Sequence, residues 1–257
     1  MRTANPALND KTFSEGRSVG GEAMTIQGAV NKTFILLFLL VVAASWVWGK
    51  VIQPESVLAE PGMAPAIPAV VGGAVMIGLF GGLITALVTI FKKEWSPVTA
   101  PIYAILEGLL LGGISAVFEM RYPGIVMQAV ALTFGTLFCL LAAYKSGLVQ
   151  VTDNFRLGIV AATGAIFLVY VVNMIMGFFN TGIPLMTSSG PWGIAFSLVI
   201  VIVAALNLVL DFDFIERGAS AGAPKYMEWY SAFGLMVTLV WLYLEILRLL
   251  SKFRGRD

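Results

Sequence analysis

The sequence predicts an all-α polytopic membrane protein with seven transmembrane helices, and two observations predict it. The chain is 58% hydrophobic and only 12% charged, with a mean hydropathy of +0.88, whereas soluble domains carry about a quarter charged residues. A bilayer-crossing helix needs about 20 apolar residues. Seven runs of this kind lie between polar breaks, at residues 32–51, 68–91, 99–119, 124–144, 157–179, 192–213 and 229–250.

The seven runs form one predicted domain, residues 31–251, between two tails. Residues 1–30 are polar and rich in Gly, Ser and Thr, which predicts a cytoplasmic tail without a packed core. Residues 252–257 read as a basic C-terminal tail. About 30 polar residues are too long a leader for an ordinary signal peptide, so the first run is predicted to be a retained helix.

Small residues in the second and third runs predict close helix packing. The pairs Gly78 and Gly82, and Gly108 and Gly112, both have GxxxG spacing. Glycines four residues apart let two membrane helices bring their backbones together where lipid offers no hydrophobic drive.

The basic residues indicate a cytoplasmic N-terminus. With that orientation ten lysines and arginines before the last run face the cytoplasm and two face the other side, which is the positive-inside bias. The ten are Arg2, Lys11, Arg17, Lys32, Lys92, Lys93, Lys145, Arg156, Arg217 and Lys225; the two are Lys50 and Arg121. The basic C-terminal end opposes this bias if the seventh run crosses, so a re-entrant seventh run is the alternative; the length of the run favours a crossing.

The residue inventory excludes several kinds of chemistry. The chain has no histidine and a single cysteine, Cys139, which excludes a disulfide framework, an imidazole metal site and a Cys/His catalytic pair. No acid sits in a recognisable protease motif, so neither an enzyme nor a cofactor is expected. With 16 basic and 15 acidic residues, the chain offers no charge that would favour nucleic acid. Sensing of pH near neutrality would need carboxylates.

Three acids lie at membrane depth, where a charge usually faces a partner, a water path or the bundle interior. Glu107 is near the middle of the third run, Asp211 is near the end of the sixth, and Glu245 is near the end of the seventh, with Asn173 of the fifth run as an uncharged companion. Glu107 fits a structural hydrogen bond as well as a functional role. For Glu245 the alternatives are an ion pair with Arg248 at i+3 and a buried role.

The two aspartates of the sixth run point in different directions, because residues two apart on a helix lie about 200° apart. Asp211 stacks with Asn207 one turn earlier, which predicts an inward polar face. Asp213 stacks with Glu216 and adjoins Arg217, which predicts a solvated rim or a supporting position behind the inward acid.

Three segments together carry a family resemblance: EWSPVTAPIYAILEGLLLGGISAVFE, LNLVLDFDFIERG and WLYLEILRLL. They resemble the bacterial branch of the Bax inhibitor-1 family, the transmembrane BAX inhibitor motif proteins, over nearly all of 31–251. The resemblance implies a seven-helix fold with the last helix central in the bundle, and a pH-sensitive calcium leak. It also implies an acid in an Asp-x-x-x-Ile pattern, matched by Asp211 and Ile215, and a second acid after Leu-Tyr-Leu, matched by Glu245.

In the family these two acids share a proton that closes the pore. Two carboxylates in a low-dielectric site cannot both ionise cheaply, and an oxygen-only ligand set suits calcium. Asp211 and Glu245 are therefore candidate calcium ligands, and Glu107 is a candidate third oxygen ligand or relay. The two acids can meet if the sixth helix extends to about Arg217, or if the start of the seventh protrudes.

This chain departs from the family at the basic residue that latches the pair. Family members supply it from the second helix, but here that run has no basic residue before Lys92 and Lys93 at its end. Arg248, in the seventh run, is the nearest substitute.

The leading functional hypothesis is a passive calcium leak in the bacterial inner membrane, with the lipid bilayer, calcium and protons as its partners. The alternative is a non-transporting regulator that binds other membrane proteins, such as a quality-control protease, through residues 1–30.

Overall fold

The computed structural model describes residues 22–51, 69–179 and 181–255, and seven long helices make up most of them. They are α1 Ile26–Val51, α2 Ala69–Phe91, α3 Ser96–Arg121, α4 Ile125–Lys145, α5 Asp153–Phe178, α6 Pro191–Ser220 and α7 Met227–Arg254. A single 3-10 turn, Lys93–Trp95, precedes α3, and a short helical turn, Pro184–Thr187, precedes α6. All seven long helices have the length and apolarity to cross a membrane, so the predicted fold class is confirmed.

Most of the helices continue past the apolar runs that predicted them. The sixth run ends at 213, but α6 continues to Ser220, and α7 spans Met227–Arg254 rather than 229–250. Hydropathy marks the thickness of the bilayer, whereas backbone hydrogen bonding continues through polar turns beyond it. The predicted tail boundaries at 30 and 252 therefore fall inside α1 and α7. Residues 1–21 of the predicted N-terminal tail lie outside the described residues.

Local sequence signals explain where the helices begin and turn. Thr152 caps α5 by accepting a hydrogen bond of 3.2 Å from the Phe155 backbone N–H, and α6 begins at Pro191, where a missing N–H costs nothing. Gly124 between α3 and α4, and Gly222 after α6, have φ angles of 82° and 68°. This left-handed conformation favours glycine because it has no Cβ.

The chain forms two compact units. One comprises described residues of Gly21–Pro123 and Pro224–Phe233, and the other comprises Gly124–Ala223 and described residues of Gly234–Asp257. The first, called the α1–α3 unit, also contains the first turns of α7. The second, called the α4–α7 unit, contains the rest of α7. In α7, 67% of the 18-residue apolar stretch that could cross the membrane is buried, more than in any other of the seven helices.

Glycines bring α2 and α1 against α3 in the α1–α3 unit. A Cβ added to Gly78 would lie 2.6 Å from the Leu106 carbonyl oxygen, and one added to Gly112 would lie 2.6 Å from the Ala44 carbonyl oxygen. A Cβ added to Gly108 would collide with the Leu40 carbonyl. The predicted close approach is thus confirmed at these three glycines, whereas Gly82 has room for an ordinary contact.

Glu228, in the first turn of α7, ties the start of α1 to the start of α7 within the same unit. Its fully buried carboxylate accepts hydrogen bonds from the Thr25 backbone N–H at 2.9 Å and the Thr25 hydroxyl at 3.0 Å. It also forms ion pairs with Lys32 at 2.6 Å and Lys225 at 3.3 Å. Four polar contacts compensate the cost of burying this charge.

Candidate functional site

One face of α5 carries polar side chains at seven-residue intervals. Arg156, Thr163 and Tyr170 lie at i, i+7 and i+14, which places them on one side of a helix with a drift of about 20° per interval. Each bonds to a polar side chain of α6 or α7 in the α4–α7 unit. We call this set the polar seam; its bonded members are Arg156, Thr163, Tyr170, Asn207, Asp213, Glu245 and Arg248, and we include Asp211 as a buried acid one turn from Asn207 on α6.

At one end of the seam, Asp213 holds two arginines. Its carboxylate accepts a hydrogen bond of 2.7 Å from Arg156 and one of 3.0 Å from Arg217, one turn later on α6. The Arg156 and Asp213 side chains are 5% and 12% exposed. Asp213 is therefore not a solvated rim residue, and the neighbouring Glu216 bonds to Tyr144 of α4 at 2.5 Å instead.

The rim expectation fails because α6 has no open side at this level. Residues 207–215 are all buried, including both aspartates, and Asp211 is only 1% exposed. A solvated rim at Asp213 requires one side of α6 to meet solvent. Where protein surrounds the helix, two acids 200° apart are both inside.

In the middle of the seam, Asn207 links α6 to α5. Its side-chain amide donates a hydrogen bond of 2.9 Å to the Thr163 hydroxyl and one of 2.8 Å to the Val203 carbonyl. Just beyond, Ile166, Ile200 and Val203 form an apolar cluster.

At the far end of the seam, Glu245 is both buried and paired with Arg248, so the two alternatives predicted for it occur together. It is 2% exposed, and it forms the ion pair with Arg248 at i+3, with distances of 2.9 and 3.0 Å. The Tyr170 hydroxyl donates to Glu245 at 2.5 Å and is also in hydrogen-bond contact with Arg248. Arg248, the nearest substitute for the basic residue that α2 lacks, thus supplies a counter-charge to Glu245.

The contacts along α5 measure how far apart the two principal acids lie. Thr163, which bonds Asn207, and Tyr170, which bonds Glu245, are seven residues apart, or about 10 Å along the helix. Asp211 is one further turn of α6 from Asn207, away from Tyr170. The levels of Asp211 and Glu245 thus differ by about 15 Å along the helix axes.

The register therefore separates the two carboxylates that the resemblance pairs. α6 does extend beyond Arg217, but this extension carries Asp211 to the level of Arg156 and not to that of Tyr170. Across the described residues, no group of three or more acidic or cysteine side chains converges as a metal-binding cluster.

Two predicted site residues lie outside the seam. Glu107 belongs to the α1–α3 unit; it is 9% exposed and hydrogen bonds with Tyr103, one turn earlier on the same helix. Asn173 uses its side-chain oxygen to accept a hydrogen bond of 3.0 Å from the Ile183 backbone N–H. It fastens the segment after α5.

Three members of the seam are not predicted from the sequence. The charge pattern predicts Arg156 only as a cytoplasmic charge, and it predicts no role for Thr163 or Tyr170. Their seven-residue spacing inside an apolar run was the signal that could have found them, since polar residues on one helical face point to a shared partner.

Comparison with known proteins agrees with the fold. The family model described as Bax inhibitor 1 like matches residues 5–255, nearly the whole chain. No curated protein and no solved structure matches the chain. The chain is an integral membrane protein, and with a family match of this extent it belongs to the Bax inhibitor 1 like family.

Proposed function

We propose that the protein is a pH-sensitive, passive leak for calcium and other cations in the bacterial inner membrane, with its N-terminus in the cytoplasm. The observation that carries the proposal is the polar seam, in which three carboxylates are buried within helices otherwise apolar enough to cross a membrane. Acids at membrane depth are typical of ion and proton pathways. Membership of the Bax inhibitor 1 like family supports the same function.

The chemistry of the seam suits a hard cation. Carboxylate, amide and hydroxyl oxygens line it, and these are the ligands that calcium prefers. Asp213 and Glu245 each form an ion pair with an arginine, so a cation has to displace a guanidinium to bind either carboxylate. We therefore infer that the structure represents a closed state.

The gate we propose has two separate charged sites, which we call stations. The family resemblance implies a single pair of acids that share one proton. Asp211 with Asp213 and Arg156 forms the first station, and Glu245 with Arg248 forms the second. Loss of a carboxylate charge at either station leaves its local arginine charge uncompensated, which raises the barrier to a cation there. Passage then depends on the charge at both levels of the seam.

Flux through purified protein tests this proposal. Protein reconstituted into liposomes that contain a calcium-sensitive dye should admit calcium at a rate that differs between about pH 6 and about pH 8. This range brackets neutral pH, where a pH-sensitive leak has to respond. Asp211→Asn and Glu245→Gln should each change that rate and flatten its pH dependence. Glu94→Gln, which removes an exposed acid outside the seam, is the matched control.

If the two seam variants conduct like wild type, the proposed gate is wrong. If neither the wild type nor any variant admits calcium, the alternative function is favoured, a regulator that transports nothing and binds other membrane proteins. Deletion of residues 1–21 then tests whether this segment binds the partner. The deletion should stop there, because Thr25 is bonded to Glu228 and its loss would disturb the fold.

A further inference from the structure

Near the C-terminal end of α7, a buried ammonium group rests on backbone carbonyls. Lys252 is 5% exposed, and its Nζ donates a hydrogen bond of 3.0 Å to the Gly193 carbonyl and lies 3.5 Å from the Leu185 carbonyl. Among residues 22–51, 69–179 and 181–255, Lys252 forms no ion pair with a carboxylate. Its positive charge is therefore compensated by carbonyl dipoles.

The backbone around Gly193 brings several carbonyl oxygens together. A Cβ added to Gly193 would collide with the Ser188 carbonyl and would lie 3.3 Å from the Leu185 oxygen. Only glycine fits there without displacing the backbone. Backbone carbonyls are the groups with which proteins replace the hydration shell of a metal cation, so Lys252 occupies a position whose chemistry suits such a cation.

Lys252 is also aligned with the end of the polar seam. Glu245, Arg248 and Lys252 lie at i, i+3 and i+7, on one face of α7, and Lys252 is about 10 Å beyond Glu245 along the axis. Arg248 and Glu245 are charged side chains near enough for their fields to act on Lys252. A cation that left Glu245 towards this end of the helix would meet two positive charges in succession.

We propose that Lys252 is a tethered cation that blocks this end of the seam to metal cations by occupying the Leu185 and Gly193 carbonyl position. The inference rests on the proposed cation leak and names the residue that limits its selectivity at one end. A fixed positive charge in a narrow polar path is an established kind of electrostatic barrier to cations.

The positive charge of Lys252, and not only its contacts with two carbonyl oxygens, explains why this residue is a lysine. A neutral donor such as glutamine could bond the same carbonyls without the cost of burying a charge. A mechanical fastener between α7, the first turn of α6 and the short helical turn before it therefore requires no ammonium. An electrostatic barrier does require one.

Two neutral variants separate the barrier from the fastener. Lys252→Gln keeps a hydrogen-bond donor without the charge, and Lys252→Met removes both. If Lys252 is a barrier, both variants should raise calcium influx in liposomes by on the order of tenfold, the scale on which local charge changes ion concentration. Both should also shift the reversal potential towards cation selectivity, and Lys252→Arg should stay closer to wild type than either.

Arg254→Met is the matched control, because it removes a positive charge at the same end of α7 from a side chain that bonds Gln128 at 3.2 Å. It should leave influx unchanged. If Lys252→Gln behaves like wild type in both flux and reversal potential, Lys252 is a fastener and the inference is overturned, even if Lys252→Met unfolds.

Asp211→Asn in the same liposomes distinguishes this failure from failure of the proposed function. A response to Asp211→Asn without a response to Lys252→Gln rejects only the barrier. A rise with Lys252→Gln alongside unaltered flux in Asp211→Asn and Glu245→Gln supports the barrier and rejects the proposed gate. No flux in any form rejects both.

Discussion

The guanidinium of Arg156 lies 2.7 Å from the carboxylate of Asp213, and neither side chain is more than 12% exposed. This buried ion pair joins α5 to α6 at one end of the polar seam. Arg217 completes the arrangement from a more exposed position, 38% accessible, one turn along α6. The two arginines that hold Asp213 should therefore differ greatly in their effect on stability.

Replacement of Arg156 by methionine should lower the free energy of unfolding by about 3 to 5 kcal/mol, because it leaves a buried carboxylate without its main partner. The same replacement at Arg217 should cost about 0.5 kcal/mol or less, as expected of an i,i+4 pair near the surface. Unfolding of the purified protein in detergent measures both. The double variant Arg156→Met with Asp213→Leu should recover much of the loss; equal effects at the two arginines would contradict this account.

Replacement of Tyr170 by phenylalanine should lower the free energy of unfolding by about 1.5 to 3 kcal/mol, since its hydroxyl hydrogen bonds to the Glu245 carboxylate and contacts Arg248. Tyr230→Phe is the control. The buried Tyr230 hydroxyl has no hydrogen-bond partner among the described residues, so its removal should be neutral or slightly stabilising. Similar losses for both variants would mean that the Tyr170 contact contributes little.

Gly108→Ala and Gly135→Ala should have opposite effects. A Cβ at Gly108 would meet the Leu40 carbonyl and would lie 2.8 Å from the Ala43 Cβ, so α1 and α3 would have to separate. A Cβ at Gly135 would meet nothing within 4 Å, so alanine there should stabilise α4 by up to about 1 kcal/mol through helix propensity. Thermal unfolding compares them, and a stabilising Gly108→Ala would disprove the close approach.

Lys225, which lies before α7, should stabilise the folded state, and this contribution should be lost at alkaline pH. The hydrogen bond and the field of the Glu228 carboxylate raise the pKa of Lys225 above its usual value. A raised pKa stabilises the folded state fully below the lysine pKa of the unfolded chain, and this contribution disappears as pH rises through the folded value. The melting temperature of Lys225→Met should lie below that of wild type by a constant amount between about pH 6 and pH 9, and the gap should close above about pH 10.4.

A contrasting variant checks the source of the Lys225 effect. Glu22 contacts Lys225 at 3.6 Å from an 82% exposed position, so Glu22→Gln should leave the alkaline behaviour nearly unchanged. A gap between wild type and Lys225→Met that persists unchanged at high pH would show that charge is not the cause.

Several features of the fold could be read from the sequence because they depend on local pattern. Hydropathy located all seven helices, and GxxxG spacing located the close contact of Gly108 and Gly112 with α1. Burial of Glu107, Asp211 and Glu245 also followed from their positions inside apolar runs. Helix ends were less well predicted, because the backbone continues to hydrogen bond beyond the apolar segment.

By itself, the sequence determined the class of protein, the number of helices and the acids that lie at membrane depth, since the bilayer imposes an apolar length on each span. Only the tertiary structure decided which partner each acid has. It buried Asp213 as well as Asp211, joined Glu245 to Tyr170 and Arg248, and separated Asp211 from Glu245 by about 15 Å along the axes. The physical reason is that side-chain partners across helices depend on the relative register of α5, α6 and α7, and no periodicity within one helix encodes the register between two.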